Sequence, residues 1–173
     1  MNKSLKNYLK NLLFRKGYKL SKINSNLLQD SNVFNACNSE INLDDPIVFD
    51  VGMNHGQTLK KILKVFPSSQ IHGFEASKYC FEQLEKDFNK EKNIVLNSVG
   101  LADISGVLEF NEYSWDAMNS FLNRAYGNAQ IIDTYKVNVT TIDDYCKKNN
   151  IENIHILKSD TEKSMNIIEV AYE

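Results

Sequence analysis

The sequence predicts an α/β fold with a Rossmann-like, mostly parallel sheet carrying helices on both faces. From Asp45 onward, short apolar runs alternate with amphipathic helical stretches, the pattern of strands buried on both sides. A glycine-bearing loop, Gly52 to Gly56, stands where the first run meets the first helix, the position of a ligand loop in such sheets. The chain has 173 residues, 42% of them hydrophobic and 24% charged, which suits one core and excludes a disordered or collagen-like polymer.

Leu5, Tyr8, Leu9, Leu12 and Leu13 fall on one helical face, so residues 4–15 read as an amphipathic helix stopped near Gly17. Residues 18–28 read as a second, weaker helical piece. The stretch 30–45, rich in Asn, Ser and Asp and followed by Pro46, reads as a connecting loop. Residues 1–44 are therefore expected to be a basic helical arm and linker, and 45–173 the sheet domain.

Within that domain Ile47–Val51 is a buried strand, and Thr58–Val65 a helix with Leu59, Ile62, Leu63 and Phe66 as its apolar stripe. Ile71–Phe74 is the second strand, and Lys78–Phe88 a helix burying Phe81, Leu84 and Phe88. Ile94–Leu96 is the third strand. Gly106–Glu112 and Tyr135–Val139 alternate like antiparallel strands around a loop over 113–134. Ile142–Asn149 is a helix capped by Thr140 or Thr141, and Ile154–Leu157 another buried strand. Met165–Ala171 has the composition of one more. Right-handed crossovers put the strand C-termini on one edge, where ligands of such sheets bind.

The net charge of −2 conceals an asymmetry: residues 1–29 carry seven bases and no acid, whereas the remainder carries 13 bases against 22 acids. A basic amphipathic arm allows peripheral contact with an anionic membrane surface, although a solvated helix packed on the domain explains it as simply. Without an aromatic or glycine-rich RNA motif, no nucleic-acid partner is expected. Cys37, Cys80 and Cys146 form no CxxC pair, which argues against disulfides and a structural zinc, so no metal is expected. No run approaches the roughly 18 apolar residues of a membrane span, and no secretory segment is evident, so a cytoplasmic location is the default.

The chemistry concentrates in Asp50-Val51-Gly52-Met53-Asn54-His55-Gly56-Gln57-Thr58. Its glycines let the backbone turn tightly beside a helix N-terminus that presents free N–H groups. The GK[ST] ending of a phosphate loop is absent, and Asn54 replaces the second glycine of the dinucleotide fingerprint. This disfavours a nicotinamide-dependent dehydrogenase. Asp50 suits a ligand bearing an amine, and Glu75, 19 residues past Gly56, stands where an acid about 20 residues after the loop accepts ribose hydroxyls. Together they describe a non-phosphorylated adenosine ligand, S-adenosylmethionine above others.

These residues resemble the FkbM-type family of S-adenosylmethionine-dependent methyltransferases. The resemblance runs from Ile47–Thr58 through Phe66-Pro67, Phe74-Glu75, Phe81 and Leu84, then Asn97, Val99-Gly100, Gly106 and Phe110. It continues through Asn119-Ser120-Phe121-Leu122, Val139–Tyr145 and Leu157–Glu162, covering roughly residues 45–162 in order. It implies a class I methyltransferase fold that transfers a methyl group to a hydroxyl of a sugar, glycan or secondary metabolite. Asp50, Gly52, Asn54 and Gly56 would cradle the methionine part of the cofactor, with His55, Gln57 and Thr58 beside them. Glu75, next to Ala76, would hold the ribose, and Val99 and Gly100 would flank the adenine. Lys158, Asp160 and Glu162 would line the acceptor side.

Lys163 stands where the family has glycine, and Ser159 replaces an apolar residue. Only 13 residues follow Asp160, too few for the last three strands and their helices, since one βαβ unit takes about 30. The expectation is a C-terminally truncated member, either active or impaired and acting by binding alone, and able to self-associate. For the general base that helps an ordinary hydroxyl react, Asp160 ranks first, with His55 and Lys158 behind it. Tyr113, Trp115 and Tyr126 are candidates to stack on a sugar, or to be buried beneath the loop.

Overall fold

The structure, a computed structural model, describes residues 32–41, 43–123 and 128–160. The helices expected over 4–15 and 18–28, the strand candidate 165–171, Tyr126, Glu162 and Lys163 lie outside the described residues. Helix α1 (Asn32–Ile41) is followed by β1 (Ile47–Val51), α2 (Gln57–Val65), β2 (Gln70–Phe74), α3 (Lys78–Phe88), β3 (Ile94–Asn97) and β4 (Gly100–Leu101). Then come β5 (Gly106–Tyr113), a 3₁₀ turn (Asp116–Met118), β6 (Ile131–Thr140), α4 (Ile142–Asn149) and β7 (Ile156–Ser159).

Four strands form a wholly parallel sheet in the order β3-β2-β1-β7, with Val51 in register with Phe74 on one side and Ser159 on the other. Their C-terminal ends therefore share one edge, as expected of a Rossmann-like sheet. A second sheet, β4-β6-β5, pairs β5 and β6 as an antiparallel hairpin. The hairpin is longer than its sequence suggests, because β6 begins at Ile131 and takes up the end of the segment read as loop.

Alternation along the strands assigns the two cores. Val48, Ile71 and Ile156 face one way and pack with Leu59, Ile62, Phe66, Leu84 and Phe88 from α2, its C-terminus and α3. Phe49, Val51 and Phe74 face the other way and pack with Leu101 and with Ile142 and Tyr145 of α4. Each such aliphatic or aromatic side chain contributes roughly 1.5–3 kcal/mol by leaving water. On α3 the buried positions are Cys80, Leu84 and Phe88, while Phe81 is only half-buried, a one-residue rotation of the expected face.

The connecting loop read over 30–45 is corrected by α1. Phe34, Cys37 and Ile41, spaced by three and four, lay one face of this Asn-rich segment on the α2 side of the core. Tertiary burial there overrides weak helix propensity. Elsewhere the local signals hold. Ser77 caps α3 by accepting from Cys80 N at 3.2 Å, and Thr141 caps α4 by accepting from Asp144 N at 3.0 Å. Acids in the first turn of α4 and lysines in its last complement the helix dipole. Phe66-Pro67 ends α2, as the residue before proline avoids helical geometry.

Gly56 opens α2 in the left-handed region at φ 73°, and a Cβ there would lie 2.8 Å from Phe88 Cε2 and 3.0 Å from Leu84 Cδ2. Gly56→Ala is thus expected to combine a left-handed penalty of about 1–2 kcal/mol with overpacking of about 1–3 kcal/mol. Urea unfolding should show a midpoint well below that of the parent, and an unchanged midpoint would contradict this packing.

Candidate functional site

The edge at which the parallel strands end is built around the loop that follows β1. After β1, Gly52 (φ 71°), Asn54 (φ 50°) and Gly56 (φ 73°) all adopt left-handed geometry, which folds the chain sharply over the end of the strand. Gly52 N donates to Phe74 O at 3.0 Å and Gly56 N to Met53 O at 2.9 Å, tying the loop to β2 and to itself. Helix α2 then starts without a side-chain cap, so its N-terminal N–H groups have no side-chain acceptor at the cap.

Glu75 directly follows β2 and is buried, with 7% of its surface exposed. Its Oε2 accepts from Asn54 N at 2.7 Å and its Oε1 from Ser77 N at 2.8 Å. One carboxylate thus holds the loop after β1 and the start of α3, and retains lone pairs for a ligand. Burial raises its pKa, and the backbone N–H groups of Ser77, Asn54 and Ala76 oppose that shift by favouring the anion.

Beneath the loop lies a second buried acid. Asp50 is fully buried, and its Oδ1 makes an ion pair with Lys158 Nζ at 3.0 Å, across the β1–β7 pair. The same ammonium donates to Gly52 O at 2.8 Å and Val51 O at 3.3 Å. Val51 O also accepts from Asp160 N at 3.0 Å, which continues the ladder to the acid at the strand end. Desolvation pushes the Asp50 carboxyl above its ordinary range, and the charge of Lys158 opposes the shift.

A cavity of about 450 Å³ opens over this edge. Of the positions singled out in the sequence, Gly52, Asn54, His55, Gln57, Glu75, Ala76, Val99, Gly100 and Asp160 line it. Asp50, Gly56, Thr58 and Lys158 do not. The positive partner that Asp50 seeks is therefore internal, since Lys158 supplies it, and Gly56 serves packing. The far wall comes from the hairpin and the 3₁₀ turn, with Phe110, Trp115, Asp116, Asn119, Ser120 and Phe121. Trp115 is 56% exposed at this wall, whereas Tyr113 is buried in the hairpin.

His55 Nε2 lies 2.5 Å from Asp116 Oδ2, joining the loop after β1 to the far wall. Cys80 Sγ is near this pair, with one ligand atom from each residue all within 4.8 Å. Burial and the nearby charges of Glu75, Asp116 and Glu112 push the Cys80 thiol up to about 11, so it is protonated at neutral pH. Asp116 had no local signature, being 61 residues from the histidine that it meets. The other histidines are structural: His72 Nδ1 meets Tyr145 OH at 2.9 Å, and His155 Nδ1 accepts from Ile47 N at 2.9 Å.

Residues 50–164 match the model of the methyltransferase FkbM domain. The chain belongs to the FkbM methyltransferase family. A tRNA U34 carboxymethyltransferase of Helicobacter acinonychis is 37% identical over 97 residues, covering 53% of this chain and 37% of that protein. The 2-O-methyltransferase NoeI of Sinorhizobium fredii is 21% identical over 130 residues, covering 68% of this chain and 54% of that protein. The FkbM chain thus spans about a third to a half of the length of these relatives. A solved precorrin-6y C5,15-methyltransferase of Geobacter metallireducens is 18% identical, with a TM-score of 0.31 over 44% of this chain and 42% of that one. Among the described residues of the FkbM chain, no helix is long and apolar enough to cross a membrane.

Lys158→Met leaves a buried carboxyl without its counter-ion, at an expected cost of about 3–5 kcal/mol at neutral pH. The sign of the pH dependence follows from the raised Asp50 pKa, which rises further in the variant. Stability from such a group is fully present below the unfolded value, near pH 4, and is lost as pH rises through the folded value. Urea titrations should therefore show a deficit that is largest near pH 7 and shrinks on acidification by up to about 1.4 kcal/mol per pH unit. A deficit independent of pH would contradict the ion pair.

Proposed function

We propose that this chain is an S-adenosylmethionine-dependent methyltransferase that methylates a hydroxyl of a sugar, glycan or secondary metabolite. The observation that carries the reading is Glu75, a buried carboxylate lining the cavity at the end of β2, with both oxygens already oriented by backbone N–H groups. An acid so placed suits the two vicinal hydroxyls of an unphosphorylated ribose.

The rest of the donor set fits the same cofactor. The uncapped N-terminus of α2, reached by Gln57, suits the methionine carboxylate, and the loop of Gly52 and Asn54 gives its backbone room. Val99 and Gly100 suit the adenine face. A cavity of about 450 Å³ lies within the usual range of small-molecule sites, about 300–1,000 Å³. Lys158 then acts from below, holding the Gly52 and Val51 carbonyls and neutralising Asp50.

When bound, the cofactor supplies an electrophilic methyl group on a sulfonium, so the protein's task is alignment, exclusion of water and removal of one proton. We assign that proton to His55. With Nε2–H donated to Asp116, the imidazole keeps Nδ1 as the acceptor for the substrate hydroxyl proton, and the carboxylate stabilises the imidazolium that results. Asp160 lines the same cavity from the end of β7 and orients the hydroxyl. Trp115 and Phe121, with Asn119 and Ser120 between or beside them, combine apolar faces with hydrogen-bonding groups, as a sugar ring requires.

The relative named a 2-O-methyltransferase supports a hydroxyl acceptor, whereas the relatives named tRNA U34 carboxymethyltransferases point to a nucleic-acid acceptor as the second reading. Titration with S-adenosylmethionine by calorimetry tests the reading. The folded parent chain should bind, and Glu75→Gln should bind about ten- to a hundredfold more weakly, the value of roughly 1.5–3 kcal/mol for hydrogen bonds to a charged group. No heat at millimolar ligand, with the protein shown to be folded, would overturn the proposal.

A further inference from the structure

The β5–β6 hairpin reaches the cofactor edge through a chain of hydrogen bonds in which every donor is used once. Tyr135 OH donates to Glu112 Oε1 at 2.6 Å, and Ser77 Oγ donates to the same oxygen at 2.6 Å. Tyr135 OH accepts in turn from Lys78 N at 2.9 Å, and Ser77 Oγ accepts from Cys80 N at 3.2 Å. Ser77 N closes the chain by donating to Glu75 Oε1 at 2.8 Å. Because Ser77 has one hydroxyl proton and Glu112 takes it, the Ser77 lone pairs are left to the helix, which fixes the direction of the Ser77 peptide. That peptide N–H aims at Glu75.

The geometry is that of two short hydrogen bonds onto one carboxylate, the stronger kind of neutral-to-charged contact. Lys78 Nζ also sits 4.1 Å from the centre of the Tyr135 ring, pinning the phenol from its face. Burial and the hydrogen bond to Glu112 raise the Tyr135 hydroxyl, so it stays protonated and remains the donor. The hairpin thus does more than wall the cavity, since it sets the start of α3 and, through Ser77, one of the backbone N–H groups on Glu75.

We propose that Glu112 and Tyr135 are positioning residues that hold Glu75 in register for the ribose hydroxyls through Ser77. This rests on the reading of Glu75 as the hydroxyl-binding carboxylate. The competing account is that the same contacts merely cap α3 and anchor the hairpin. The two differ in what a ligand feels: a positioning role concerns the ribose diol alone, whereas a structural role weakens every ligand of the cavity alike.

Adenosine and 2′,3′-dideoxyadenosine, identical except for the two hydroxyls, are the probes, with affinities measured by ligand-detected NMR or calorimetry on the full chain. The parent should prefer adenosine at least tenfold. Tyr135→Phe and Glu112→Gln should cut that preference about three- to tenfold, with little change in affinity for the dideoxy ligand. Thr134→Val removes a neighbouring hairpin bond to Asn111 Oδ1, 3.0 Å long and outside the relay, and should leave the preference intact. If the variants weaken both ligands equally, the preference being kept, the residues are structural and the inference is overturned. If the parent itself does not prefer adenosine, the Glu75 reading fails and takes this inference with it.

Discussion

The edge at which the parallel strands end depends on one buried carboxylate held by backbone donors. Glu75 draws Asn54 N to one oxygen and Ser77 N to the other, so the loop after β1 and the start of α3 share a single anchor. Leaving such a group buried and unpaired would cost on the order of 1–3 kcal/mol or more. The contacts therefore compensate the burial while orienting the remaining lone pairs into the cavity. Glycine carries the left-handed geometry at two of the loop's three such positions, Gly52 and Gly56, and at the third, Asn54, the backbone N–H is held by Glu75.

Below that anchor the Asp50–Lys158 pair does a different job. It joins β1 to β7 from within, and the ammonium also satisfies the carbonyls at which the β1 ladder ends. Above it the His55–Asp116 contact and the Ser77–Glu112–Tyr135 relay bring the second sheet down onto the first. Three charge-assisted links thus support this edge, of which only the His55–Asp116 pair lines the cavity, and each ties together segments far apart in sequence.

Much of this edge is legible in the sequence because its signals are local. Asp50 to Thr58 announces a strand, a turn and a helix, and Glu75 sits at the one spacing that a following strand allows. The bounds of α3 and α4 follow from Ser77 and Thr141 as caps. What stayed hidden depends on contacts. The α1 segment reads as loop from its asparagines, and only Phe34, Cys37 and Ile41 meeting α2 make it a helix. Asp116, Glu112 and Tyr135 carry no motif, since their roles arise from partners 61, 35 and 57 residues away in sequence. Asp50 and Lys158 were legible as important, but their mutual pairing, which keeps both out of the cavity, follows only from the register of β1 on β7.

A crystal structure of the chain with S-adenosylhomocysteine tests the central claim most directly. The account predicts both ribose hydroxyls within hydrogen-bond distance of the Glu75 carboxylate, which keeps its bonds to Asn54 N and Ser77 N, with the adenine against Val99. A nucleoside seated elsewhere, or a Glu75 that turns away from the ribose, would contradict it.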